Sequence, residues 1–181
     1  MKKSLLNVLV VCSCLFLFAC PEKEDPALEV DNRPEFPYDV KLYFNPLNFK
    51  ELPTCNKPVI YENIKISIRA ATQEEYPGNK SACGYISASN GFIGPGTALE
   101  IDKSYYKSLK QIQVTVWEAC SVPDVVSIFF YDKSGKVVLS KKLQGDETQY
   151  SNWFSNMQAV ERIVIVNRCE GGVRSVTLTS Y

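Results

Sequence analysis

The sequence contains no histidine among its 181 residues. That absence excludes Ser-His-Asp and Cys-His activation of a nucleophile. It also removes the commonest protein ligand of zinc, copper and iron. No two of the seven cysteines stand in C-x-x-C spacing, which argues against a zinc site. There is no excess of positive charge, since 20 basic side chains meet 20 acidic ones, so the electrostatic footprint of a nucleic-acid binder is missing. No nucleophile motif, internal repeat or long helical period occurs. An enzyme built from this chain would rely on carboxylates, lysine or tyrosine alone. Paired carboxylates of the glycosidase kind can be drawn from any sequence of this size, and nothing singles out a pair.

What the chain does have begins at its N-terminus. Lys2 and Lys3 precede an apolar run, "LLNVLVVCSCLFLFAC", that is short for a membrane span and has the layout of an export signal. The run ends in Leu17-Phe18-Ala19-Cys20, which resembles the lipobox of bacterial lipoproteins. The resemblance implies cleavage before Cys20 and acylation of its thiol and new amine, the multiple chains that stable anchoring takes. A plain secretory signal with a chance cysteine is the alternative. Loss of residues 1–19 leaves 18 basic and 20 acidic side chains, a net charge of about −2. The following acidic, proline-rich stretch, residues 20–40 with the lipidated cysteine, reads as an extended tether. Its acidic cluster resembles the surface-export signal of Bacteroidetes lipoproteins. That implies an outer-membrane anchor with outward display favoured over the periplasmic face.

Residues 41–181 read as one β domain. Ile64, Ile66 and Ile68 alternate with polar residues, as do Ile112, Val114 and Val116, then Val176 and Leu178, while Val126, Ile128 and Phe130 form another inward row. Arg162–Arg168 is apolar on both faces at its centre, the mark of a central strand. Asp132-Lys133-Ser134-Gly135 reads as a hairpin turn, and other Gly and Pro clusters punctuate the remaining joints. One helical turn is expected over Asp102–Leu109, capped by Asp102. Short strands between such turns predict an all-β, antiparallel two-sheet sandwich. Cys55, Cys83, Cys120 and Cys169 remain after processing, an even number in an exported chain, and read as disulfides. Four cysteines allow three connectivities. If the strand Lys110–Glu118 pairs antiparallel with Val173–Tyr181, Cys120 and Cys169 meet at one rim, leaving Cys55 with Cys83.

The order of segments "LNFKELPTCNKPVIYENIKIS", "GYISASNGFIGPGTALEI", "LKQIQVTVWEA", "VVSIFFYDKSGKVVLSKKL", "NWFSNMQAVERIVIVN" and "VRSVTLTSY" is similar to that of extracellular galactose-binding-like modules. The likeness spans about residues 47–181 and rests on apolar positions and turns. It implies a jelly-roll β-sandwich, many of whose members bind carbohydrate. Arg174-Ser175 stands where that family often has an acid or Asn, a departure from its pattern. Candidate binding residues follow from strand parity. Trp117 lies on the polar side of its strand with Gln113 and Thr115, where its ring could stack a sugar unless a neighbouring loop covers it. In "QYSNWFSN", an inward Phe154 turns Trp153 outward, flanked by Tyr150, Asn152 and Asn156 as neutral donors and acceptors. Tyr105, Tyr106 and Lys107 form either a rim patch or the packing of a short helix. No cofactor or metal is expected; calcium is the ion that the loop acids Glu74, Glu75 and Asp124 would suit. The functional expectation is a lipid-anchored, non-catalytic binding module, for glycan or, alternatively, for another envelope protein as a structural or assembly lipoprotein. A small hydrolase is the remaining rival.

Overall fold

The alternating isoleucines and valines form strands with one face turned to the core. The computed structural model describes residues 31–44, 51–78, 82–87, 90–107, 109–118, 126–143 and 150–181. These belong to one unit, Asp31–Tyr181. The strands are β1 (Val40–Tyr43), β2 (Val59–Tyr61), β3 (Ile64–Ala70), β4 (Thr97–Asp102) and β5 (Gln111–Glu118), then β6 (Val126–Tyr131), β7 (Val137–Lys142), β8 (Tyr150–Ser155), β9 (Arg162–Asn167) and β10 (Gly171–Thr179). They form two antiparallel sheets, one ordered β1-β10-β5-β8 and one ordered β2-β3-β4-β9-β6-β7. The chain is thus the two-sheet β-sandwich that its period-two pattern predicts. No helix occurs among the described residues.

The core lies between the sheets. Ile64, Ile66 and Ile68 of β3 and Ile163 and Ile165 of β9 face Ile112, Val114 and Val116 of β5 and Val176 and Leu178 of β10. Phe130 of one sheet meets Phe154 of the other edge-on, with centroids 4.9 Å apart. β9 lies between β4 and β6, as expected for a strand apolar on both sides. Its outward Val164 and Val166 join Ala98, Phe129 and Tyr131 in a second apolar cluster, against which Ala71 and Tyr76 pack. Here the loop acid Glu75 is wholly buried: Arg69 grips both of its oxygens at 2.7 Å, and the Thr72 amide and Tyr131 hydroxyl donate at 2.8 Å. Burial raises the Glu75 pKa, but these bonds outweigh it and hold the carboxyl at about 2. Glu75 is therefore a buried structural ion rather than a solvated loop acid.

Three local readings change. The expected helical turn after Asp102 is a non-helical turn, in which the Asp102 carboxylate accepts the Ser104 amide at 2.9 Å. The cap residue was recognisable, but no following segment continues a helix. Residues assigned to the tether pack on the sandwich from Asp31 onward. Arg33 donates to Glu161 at 2.6 Å and to the Ser104 carbonyl at 3.1 Å, and Phe36 is buried on the Tyr106 ring, 4.2 Å away. A single aromatic among prolines carries no periodicity that would announce its burial. Tyr106 also donates to the Glu62 carbonyl, so only Tyr105 of that pair is exposed.

Two disulfide expectations meet the structure differently. Cys55 and Cys83 are bonded. Cys169 is disulfide-bonded as well; its expected partner, Cys120, lies outside the described residues. The antiparallel register that the pairing argument requires is present, with Gly171 opposite Glu118. Cys20 and Asp124 also lie outside the described residues.

Candidate functional site

The outward positions of the four-stranded sheet carry hydroxyls, amides and two exposed aromatic rings. The register aligns them in rows. Lys41, Thr177, Gln113 and Trp153 stand side by side across β1, β10, β5 and β8. The next row is Tyr43, Ser175, Thr115 and Ser151, in which the Thr115 and Ser151 hydroxyls are hydrogen-bonded at 3.0 Å. Beyond the first row, Thr179, Gln111 and Ser155 complete the face. Three strand spacings make it about 14 Å wide. These strand positions carry no acid, but Asp39, next before β1, lies at the same margin, where its carboxylate accepts the Ser180 amide at 3.0 Å.

Trp153 is held at one edge by the alternation of β8. Phe154 is buried, so its neighbour turns outward and is 56% exposed. At the opposite edge, Tyr43 is exposed, with the Lys41 ammonium 4.7 Å from its ring centroid. Flat rings at the margins of a floor of neutral donors and acceptors suit a ligand with apolar ring faces and a fringe of hydroxyls.

The candidate residues do not all converge. Trp117 lies on the expected outward side but is buried, correcting its reading as an open stacking ring. The segment around Asn90 covers it, and its indole nitrogen donates to the Asn90 carbonyl at 2.8 Å. The cover is held by close backbone approach. Val173 donates its amide to the Gly91 carbonyl at 2.9 Å, and a Cβ at Gly172 would meet that same oxygen at 2.2 Å. The Arg174 guanidinium lies over the Trp117 ring, 5.5 Å from its centroid. Asn152 pairs with the inward Val114 in the register that also pairs Phe154 with Ile112, so it does not share Trp153's face. Asn156 follows β8 in a left-handed conformation, φ 60°, and is exposed. The Tyr150 backbone opens β8 opposite Val116.

Lys41, Tyr43, Ser151, Ser175 and Thr177 join the face through register alone. Their signal in the sequence was weak: outward positions filled by Ser, Thr and Gln rather than by the usual charged residues. A separate cleft of about 390 Å³ is lined by Arg33, Asp102, Asp132, Glu161 and Arg162, among others. Its carboxylates are already committed. Glu161 holds Arg33, and Asp132 accepts the Ser134 amide and hydroxyl and the Lys136 amide. Among the described residues no group of three or more Cys, Asp or Glu is gathered to hold a metal ion.

No protein-family model matches the chain, and no curated protein matches it. Several solved structures match the chain weakly, at low identity and low TM-score. A Streptococcus pneumoniae fucose binding module is 11% identical over 66% of this chain and 74% of its own, with a TM-score of 0.33. A structure described as CBM4 is 9% identical over 71% of this chain and 97% of its own, with a TM-score of 0.37. Accessory secretory proteins of Streptococcus pneumoniae give 15% identity over 86% of this chain and 88% of theirs, with a TM-score of 0.26.

Proposed function

We propose that the protein is a lipid-anchored, envelope-facing, non-catalytic module that binds carbohydrate on the outward face of its four-stranded sheet. The observation that carries the reading is Trp153: an exposed indole at the edge of a sheet whose remaining outward positions are mostly hydroxyls and amides. A sugar ring stacks its C–H face on the indole while its hydroxyls exchange hydrogen bonds with Gln113 and Thr115 on the adjacent strand, and a neighbouring ring of the same chain reaches Thr177. Such contacts give weak affinity at each site. The face is open rather than enclosed and assembles no nucleophile or acid–base pair, which suits binding rather than turnover. Acylation of Cys20 would anchor the chain, and the proline-rich stretch behind it would carry the module away from the bilayer, on the cell surface in preference to the periplasmic side.

The test is a glycan array probed with the full-length protein in neutral detergent, wild type against Trp153→Ala. Binding to at least one glycan class that falls about tenfold or more in the variant, with the thermal midpoint unchanged, is the expected result. Absence of any glycan binding by the wild type, alongside a co-purifying envelope protein, would overturn it in favour of an assembly lipoprotein.

A further inference from the structure

The binding face carries a guanidinium, Arg174, that is paired with no carboxylate among the described residues. Most of the other arginines with described side chains have acids: Arg33 pairs with Asp31 and Glu161, Arg69 with Glu75 and Glu100, and Arg162 approaches Glu100. Arg174 differs. It is the extra residue of a bulge in β10, between the pairs Val173–Val116 and Ser175–Thr115. The bulge lays its guanidinium over the buried Trp117 ring, and its Nε is buried with no hydrogen-bond partner. No carboxylate among the described residues forms an ion pair with it. The buried Nε cannot itself meet a ligand at the surface, but the terminal N–H groups of this half-buried guanidinium are not paired with an acid and remain available as donors.

Arg168 Nε is also unpartnered, on the other sheet. Its cleft of about 250 Å³ is lined by Glu74 as well, whose charge opposes an incoming anion. The pairs flanking Arg174, Val173–Val116 and Ser175–Thr115, carry no acid. Beside it stand the Ser175 and Thr115 hydroxyls, and further along the same face Lys41 lies over Tyr43. Both cations are positioned by aromatic rings, which orient them without neutralising them.

We propose that the sugar bound on this face is anionic, carrying a carboxylate or sulfate that Arg174 receives through its fork of N–H donors while Trp153 stacks a neighbouring ring. This rests on the glycan reading above and narrows it. Arg174 lies two strand spacings, about 10 Å, from β8. The two anchors are therefore too far apart for a single ring, and the ligand is an acidic oligosaccharide or polysaccharide. Guanidinium binds either anion bidentately, so the two share one recognition chemistry.

The experiment is affinity electrophoresis of the full-length protein in neutral detergent. The gels hold alginate, carboxyl-reduced alginate, dextran sulfate or unmodified dextran. The expected result is retention by alginate or by dextran sulfate about tenfold stronger than by its neutral counterpart; which arm responds identifies the anion. Arg174→Gln removes that increment and leaves neutral binding intact, with folding verified from the near-ultraviolet signal of Trp117. The wild-type comparison of charged with neutral polymer stands even if the variant fails to fold. Equal retention by charged and neutral polymers overturns the proposal, as does charged retention that a folded Arg174→Gln variant keeps. If neutral polymers bind in a Trp153-dependent manner and charge adds nothing, the glycan reading survives and only its narrowing fails. If no polymer is retained, the acidic-ligand proposal fails, and the glycan reading stands or falls on the array.

Discussion

Trp117 and Trp153 sit on neighbouring strands, β5 and β8, of the same sheet. Strand parity placed both indoles on an outward side, and both are there. Trp153 is open and Trp117 is covered, because a segment distant in sequence, around Asn90, closes over the second ring. Parity reports the direction of a side chain, whereas exposure depends on what else arrives. The two rings accordingly respond differently to truncation. Trp117→Ala empties a buried site and is expected to cost about 3 kcal/mol or more in urea unfolding, whereas Trp153→Ala stays within about 0.5 kcal/mol. Equal destabilisation by the two would contradict the assignment. Glu75 makes a similar point: it stood as one of several loop acids, and the fold made it a buried ion. Its folded pKa is depressed to about 2 against an ordinary 4.5. Its contribution is therefore complete above about pH 4.5 and is lost as pH falls towards 2, on the order of 3 kcal/mol. Glu75→Gln should flatten the acid limb of a stability–pH curve across that window while lowering stability at pH 7; a superimposable acid limb would contradict the assignment.

At the scale of elements, strands with a long alternating run were legible, and short or irregular ones were not. β3, β5, β6, β7, β9 and β10 follow the expected segments within a residue or two. β1 is four residues long, and three of them lie in the range assigned to the domain while its first lies in the range assigned to the tether. Its strand character comes from pairing with β10 rather than from its own pattern. The bulge at Arg174 was equally invisible, because a bulge is a property of two paired strands. The strand that carries it depends on glycine. A Cβ at Gly91 would meet the Val173 carbonyl oxygen at 1.9 Å, and Gly91 also sits at φ +69°. Gly91→Ala is expected to loosen the cover over Trp117, lowering stability by about 2 kcal/mol or more and red-shifting indole fluorescence. An unchanged spectrum would mean that the cover is held by other contacts. The Cys55–Cys83 bridge ties elements with a sequence separation of 28. By loop entropy, Cys55→Ala with Cys83→Ala should cost about 3–4 kcal/mol, read as a shift of the urea midpoint.

For the whole molecule, the expected acylation carries its own check. Labelling with a fatty-acid analogue should be lost in Cys20→Ala, with the protein released from the membrane fraction; retained label would remove the anchor from the account. By itself the sequence determined the all-β class, the antiparallel hairpin at Asp132–Gly135 and the identity of the apolar rows, because a period of two is written locally into each strand. It also contained the cysteines and the register logic that leave Cys55 with Cys83. Only the tertiary structure decided which outward residues share a face, that an indole is sealed by a remote loop, and that Arg174 lies on Trp117 without an acid. Those are relations between strands far apart in the chain. A row such as Lys41, Thr177, Gln113 and Trp153 exists only once register and sheet order are set, and both are fixed by the joint burial of the two inner faces rather than by any one segment.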